Sequence, residues 1–162
     1  MENKKDILFK ETDKRLHNYK YLDIKIKNIN LDIKRCENEY SGCGAMVYTE
    51  KTSNTYNISS SVENEVLKRE ERLRKLKMEK EDIEIEKEKI ENALTCLNDI
   101  EMEFFNLFYN SKTKNNMTYI SMKLHLDRTS CYNLKKKMIF KLSEILKKIG
   151  QFYNTLYTPL QQ

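Results

Sequence analysis

The segment HLDRTSCYNLKKK (residues 125–137) poses the main question about this chain. It places an acidic residue, an arginine, two hydroxyls, a tyrosine, an asparagine and three consecutive lysines in one short helical run. Such a run is either a solvated basic helix or a helix whose exposed face contacts phosphates and base edges. The sequence on both sides of the segment helps to separate these interpretations.

Two helices are predicted to meet within this segment. The preceding sequence NMTYISMKLHL predicts a short helix with Asn116 as its N-cap. His125 lies where the chain must change direction, Leu126 is expected to point into the core, and Asp127 is the predicted N-cap of the next helix. The inward positions of the second helix recur three and four residues apart: Cys131, Leu134, Met138, Leu142 and Ile145. A short helix, a tight turn and a longer basic helix make up the layout of a helix-turn-helix.

The outward side of the second helix carries residue types that suit DNA. With Cys131 and Leu134 inward, its first turns present five residues outward: Arg128, Thr129, Tyr132, Asn133 and Lys136. Arginine pairs well with guanine and asparagine with adenine, so we expect this face to read bases in the major groove. The flanking Lys135 and Lys137 are expected to contact phosphates. Alternatively, the lysines form a solvated face and Tyr132 is half-buried packing.

Charge is distributed unevenly along the chain. The net charge of all 162 residues is +5, but residues 111–162 hold 10 Lys and Arg against 2 Asp and Glu, a net charge of +8. A basic C-terminal third indicates a polyanionic partner, and double-stranded DNA is the partner that the helix-turn-helix pattern favours.

The N-terminal two thirds carry two heptad seams. The first seam consists of Tyr19, Leu22, Ile26, Ile29, Ile33, Cys36 and Tyr40. The second consists of Val62, Val66, Leu73, Leu76, Ile83, Ile90, Leu94 and Leu97, with Arg69, Lys80 and Lys87 at the remaining positions. These seams predict a coiled-coil helical hairpin over residues 1–97 with a loop at 41–61. Residues 98–150 are then the predicted DNA-binding domain, and residues 151–162 a C-terminal tail.

Apolar residues also occur on the back of this predicted hairpin. Ile24, Leu31, Met78 and Ile85 all fall at heptad position f, which faces away from the partner helix. Exposed apolar residues at such positions either are scattered surface residues or are covered by another surface. We expect them to mediate self-association into a homo-oligomer.

Composition narrows both the fold class and the function. Charged residues make up 34% of the chain, and glycine and proline together occupy four positions, so an all-α fold is expected. No apolar run is long enough to cross a membrane, and no secretory signal is expected, which predicts a cytoplasmic protein without membrane contact. The four cysteines form no CxxC pair and are expected to be reduced thiols. We find no catalytic constellation and expect neither a metal nor a cofactor.

The segment NMTYISMKLHLDRTSCYNLKKKMIFKLSEIL resembles the final helix-turn-helix of sigma-70 region 4. The chain as a whole resembles the RinA/ArpU-type phage late transcription regulators, although the specific part of the likeness covers about the last 50 residues. The resemblance implies that Thr129, Tyr132, Asn133 and Lys136 face DNA. It also shows departures, because His125 replaces the usual glycine at the turn and Met117 the usual tryptophan or tyrosine.

Two function classes are therefore expected. The first is a sequence-specific transcriptional regulator, a phage or prophage late-gene activator that acts at a promoter with host RNA polymerase. The second is a viral DNA-packaging or structural protein similar to small terminase subunits. The order of the parts favours the first class, because small terminases usually place the DNA-binding unit before the oligomerising helices. A stand-alone sigma factor is less favoured, since the heptad seams lack the aromatic-rich helix that promoter melting requires.

Overall fold

The computed structural model describes the backbone of residues 4–39 and 61–156. Within these ranges the chain forms five α-helices and no β-strand: α1 (Lys4–Asn38), α2 (Ser61–Leu94), α3 (Asp99–Phe108), α4 (Met117–Leu124) and α5 (Arg128–Leu156). The predicted all-α class is confirmed. The predicted loop at 41–61 lies outside the described residues except for its last residue. Helix α5 continues to Leu156, so the predicted tail begins as helix.

The described residues divide into two compact units. The larger unit consists of residues 4–24 and 84–156, and the smaller unit consists of residues 25–39 and 61–83. The larger unit thus combines α3, α4 and α5 with the first part of α1 and the last turns of α2. The domain boundary expected after residue 97 stays a prediction.

The larger unit has a core of aromatic and aliphatic side chains. Helix α3 contributes Phe104, Phe105 and the neighbouring Tyr109, all at most 1% exposed, whereas Ile100 on its first turn is 53% exposed. The core members from the other helices are Leu16, Leu22, Ile90, Ala93, Leu94, Met117, Ile120, Cys131, Met138, Ile139, Leu142 and Leu146. Because apolar burial is the main stabilising contribution to folding, this unit carries most of the described core.

Polar residues at the helix starts reinforce the larger unit. The Asn98 side chain accepts from the Glu101 backbone N–H at 2.8 Å, and the Glu101 carboxylate accepts from the Asn98 backbone N–H at 3.1 Å. This reciprocal capping box begins α3 as its sequence predicts. Lys141 of α5 donates to the same Glu101 carboxylate at 2.9 Å. Burial opposes ionisation of Glu101, but the bonds from Asn98 and Lys141 outweigh it and hold its pKa below the ordinary value.

The smaller unit buries far fewer apolar side chains. Ile29 and Cys36 are its buried apolar residues among those described, and Leu73 and Leu76 are half-buried. Val66, which the heptad pattern places in the seam, is 40% exposed. Ion pairing supplements this packing, since Arg72 contacts Glu39 at 3.1 Å. The two long helices contact each other in this unit with few fully buried side chains, and the predicted hairpin stays a prediction.

Candidate nucleic-acid interface

The turn between α4 and α5 has a left-handed residue at its centre. His125 adopts φ 53° and ψ 37° and is the one described non-glycine residue with positive φ. Its backbone N–H bonds to the Ser121 carbonyl, and the Leu126 N–H reaches the same carbonyl at 3.0 Å. Helices commonly end in this way, usually with glycine at the left-handed position. Helix α4 therefore ends at the residue where the sequence predicted a change of direction.

Asp127 caps the start of α5. Its carboxylate accepts from the Ser130 backbone N–H at 2.9 Å and from the Ser130 hydroxyl at 2.5 Å. These hydrogen bonds from Ser130, the hydroxyl first and the backbone second, hold the pKa of Asp127 below its ordinary value. Asp127 is consequently a charged cap that fixes the first turn of α5. Its predicted N-cap geometry is confirmed.

The outward face of the first turns of α5 is open to solvent. Its exposed members are Arg128, Thr129, Tyr132, Asn133, Lys136 and Lys137. The Arg128 guanidinium lies 5.9 Å from the centre of the Tyr132 ring, and this tyrosine is 45% exposed. One helical turn apart, the two side chains support each other and remain accessible. The inward face of the same helix packs into the core, because Cys131 and Met138 are fully buried.

Cys131 has the environment of a packing residue. It is fully buried, and this burial, with a smaller contribution from the charge of Asp127, raises the pKa of its thiol. A thiol that resists ionisation is a poor nucleophile. Its position on the inward stripe therefore serves the core of the larger unit.

Lys135, which is expected to contact phosphates, is half-buried, and its contact with DNA stays a prediction. Its side chain is 19% exposed and its Nζ lies 3.2 Å from the Asp13 carboxylate of α1. Lys136 and Lys137 next to it are exposed. The reason is helical periodicity, because Lys135 follows the buried Cys131 by four residues and precedes the buried Ile139 by four. The three lysines thus divide into one inward and two outward side chains.

Helix α4 adds exposed residues that the sequence reasoning did not select. Met122 is 71% exposed and Tyr119 43% exposed, and the Lys123 Nζ lies 5.8 Å from the centre of the Tyr119 ring. Tyr119 precedes the inward Ile120, and Met122 and Lys123 lie between Ile120 and Leu124, so the helical pattern of apolar positions already indicated that they face outward. They add exposed aromatic and polar side chains on α4 to those on α5.

The four predicted self-association residues are mostly accessible. Ile24, Leu31 and Met78 are 53%, 62% and 57% exposed, whereas Ile85 is half-buried. Exposed Leu67, at 56%, belongs to the same class of residue and was not predicted. An outward position for three of the four is therefore observed, and their role in assembly stays a prediction.

The described part of the chain holds neither a metal-binding cluster nor a membrane-spanning helix. No group of three or more His, Cys, Asp and Glu side chains there could hold a metal ion. Among the helices described, each is either too short or too polar to cross a bilayer. Comparison of the chain with protein-family models, with curated proteins and with solved structures found no significant match.

Proposed function

We propose that this protein is a sequence-specific DNA-binding transcriptional regulator. In this proposal α4 and α5 form a helix-turn-helix, and α5 is the recognition helix that enters the major groove. The observation that carries the proposal is the exposed face of α5, which lies opposite the buried Cys131, Met138 and Leu142 and is fixed at its start by the Asp127 cap. A helix packed in this way suits the readout of DNA bases, which needs side chains held in a defined orientation.

The exposed residues divide into two roles. Arg128 and Asn133 are the base-reading candidates, because their side chains match guanine and adenine edges, and Thr129 and Tyr132 flank them. Lys136 and Lys137 supply positive charge for the phosphates. The net charge of +8 over residues 111–162 supports a polyanionic partner for this part of the chain.

The remaining parts of the proposal concern assembly and promoter action. The seams of α1 and α2 pair as an antiparallel helical hairpin, and exposed Ile24, Leu31 and Met78 bring copies of the chain together. The resemblance to phage late regulators supports an activator that works with host RNA polymerase at a promoter. The same exposed apolar residues also suit the second candidate, a small-terminase-like packaging protein. Activation of a reporter gene from the selected DNA site separates the two functions.

Selection of binding sites from random duplexes, followed by titration at several salt concentrations, tests DNA recognition. Asn133→Ala or Arg128→Ala should weaken binding to the selected site by about 1–3 kcal/mol and change binding to random DNA little, because a base contact is lost only on the right base. Lys136→Ala should weaken both and reduce the salt slope by roughly one unit.

Exposed residues elsewhere provide matched controls. Asn18→Ala on α1 and Arg74→Ala on α2 remove the same side-chain types from exposed helical positions and should leave DNA binding unchanged. The proposal is wrong if the intact protein enriches no sequence. It is also wrong if the Asn133 and Arg128 variants lose selected and random DNA equally, since α5 would then be only a basic surface.

A further inference from the structure

Lys135 occupies a position that its neighbours in sequence do not share. Its ammonium group lies 4.6 Å from the centre of the Phe108 ring and 5.8 Å from that of Tyr109, at the end of α3. It also lies 3.2 Å from the Asp13 carboxylate of α1. A lysine with two aromatic faces and one carboxylate around it has its charge satisfied within the chain.

Asp13 receives a second donor from α3. The hydroxyl of Tyr109, a residue only 1% exposed, donates to the same Oδ1 atom that Lys135 approaches. Burial, followed by the bond to Asp13, raises the pKa of Tyr109 above its ordinary value, so this phenol remains a neutral donor. One carboxylate oxygen of α1 thereby contacts side chains from two other elements of the larger unit.

His17 completes the surroundings of this carboxylate. It lies one turn after Asp13 on α1, its Nε2 is 3.9 Å from Asp13 Oδ1, and its ring centre is 4.7 Å from that of Tyr109. Burial lowers the pKa of His17 despite the nearby carboxylate, and the charge of Lys135 acts in the same direction. A neutral His17 leaves Lys135 as the cationic partner of Asp13 among these side chains.

We propose that Lys135 is a positioning residue that anchors α5 to α1 and α3 through Asp13, and that it does not contact DNA phosphates. Lys135 follows Arg128 by seven residues, so the anchor lies two turns along the same side of α5, at the edge of the exposed Arg128 to Lys136 face. DNA recognition then depends on a carboxylate in another helix, more than a hundred residues earlier in the chain. The DNA part of this inference rests on the proposed function, whereas the anchor itself does not.

Two charge-removing variants isolate the anchor. Lys135→Met keeps a long unbranched chain against the aromatic rings, and Asp13→Asn keeps an acceptor for the Tyr109 hydroxyl. In thermal or urea unfolding each should lower the folded-to-unfolded ratio by roughly 5- to 30-fold. The double variant should lose little more than either single variant, because both remove the same interaction. Lys135→Arg retains the positive charge and brings a planar group that can stack on the aromatic rings, so it should show little of the loss.

DNA titration under conditions where every variant is folded provides the functional readout. Lys135→Met and Asp13→Asn should each weaken binding to the selected site by roughly two- to tenfold, the scale of ordering one or two side chains on binding. The salt slope should not change, because no phosphate contact is lost. Lys136→Met serves as the comparison, and its slope should fall by roughly one unit.

The alternative outcomes are distinguishable. A salt slope that falls for Lys135→Met as it does for Lys136→Met, with no effect of Asp13→Asn, makes Lys135 a phosphate contact and overturns the inference. Additive stability losses, or unchanged DNA binding by folded variants, overturn it as well. If the intact protein selects no DNA, the proposed function fails. The unfolding measurements on the two single variants and the double variant then decide alone whether the Asp13 anchor exists.

Discussion

The larger and smaller units contain stretches of the same two long helices but bury side chains very differently. In the larger unit α3 and α5 cover the helices with fully buried residues such as Phe104 and Leu142. In the smaller unit the described buried apolar residues are Ile29 and Cys36, while Leu31 and Met78 are exposed by more than half. The same kind of amphipathic helix is thus well covered in one region and poorly covered in the other.

This difference in burial suits the two units to different roles. A unit with a complete core holds its surface side chains in fixed positions, which recognition of a DNA sequence requires. A unit with sparse burial and outward apolar residues gains stability when another surface covers it. We therefore propose that the larger unit carries DNA recognition, and we expect association through the α1 and α2 surfaces.

The largest effect is expected from loss of an aromatic side chain in the larger unit. Phe104 is fully buried, so Phe104→Ala should lower the free energy of unfolding by about 3–5 kcal/mol through lost burial and a residual cavity. Leu73→Ala in the smaller unit removes a half-buried side chain and should cost about 1 kcal/mol. Urea titration followed by circular dichroism measures both. Equal losses would contradict the difference in packing between the units.

The next effect concerns self-association. Ile24 and Leu31 lie seven residues apart on one face of α1, and changing both to lysine should remove about 2–3 kcal/mol of apolar burial from a subunit contact. Sedimentation should then show monomers while the helical circular dichroism signal is retained. The control is Asn18→Lys with Asn28→Lys, which adds the same charge at exposed polar positions. Wild-type protein that already sediments as a monomer at tens of micromolar, on the scale of a weak complex, rules the contact out.

Local signals account for what the sequence predicted well. The Asn116 cap and the inward Cys131 and Met138 were correctly predicted, because caps and helical periodicity depend on residues within a few turns. Not every apolar residue of α3 is buried, because Ile100 on its first turn is exposed.

Long-range packing accounts for what the sequence did not predict. Thr12 and Leu16 are buried in the larger unit, although the first seam was expected to begin at Tyr19. Lys135 was expected on the DNA-binding surface. Helical periodicity accounts for its inward side, but its ion-pair partner Asp13 lies far away in the chain. No local pattern identifies a carboxylate on one helix as the partner of a lysine on another.

The smallest predicted effect concerns the turn that orients α5. His125 has a left-handed backbone, which costs a residue with a side chain about 1–2 kcal/mol relative to its preferred conformations. Glycine avoids this cost. However, its greater backbone freedom stabilises the unfolded chain by about 0.5–1 kcal/mol. His125→Gly should therefore raise the free energy of unfolding by about 0.5–1 kcal/mol, or the melting temperature by roughly 1–4 °C for a chain of this size.

Alanine at the same position separates backbone strain from loss of the imidazole. His125→Ala removes the exposed ring but keeps a Cβ atom, so it should not stabilise the protein. Binding to the selected DNA site should be the same for the wild-type and His125→Gly proteins, because glycine can retain the observed turn and leave α5 in place. If glycine and alanine raise the melting temperature equally, the gain comes from removing the side chain and the turn is not strained. If glycine stabilises the fold but weakens DNA binding, the imidazole itself belongs to the interface, and the recognition surface extends from α5 into the turn.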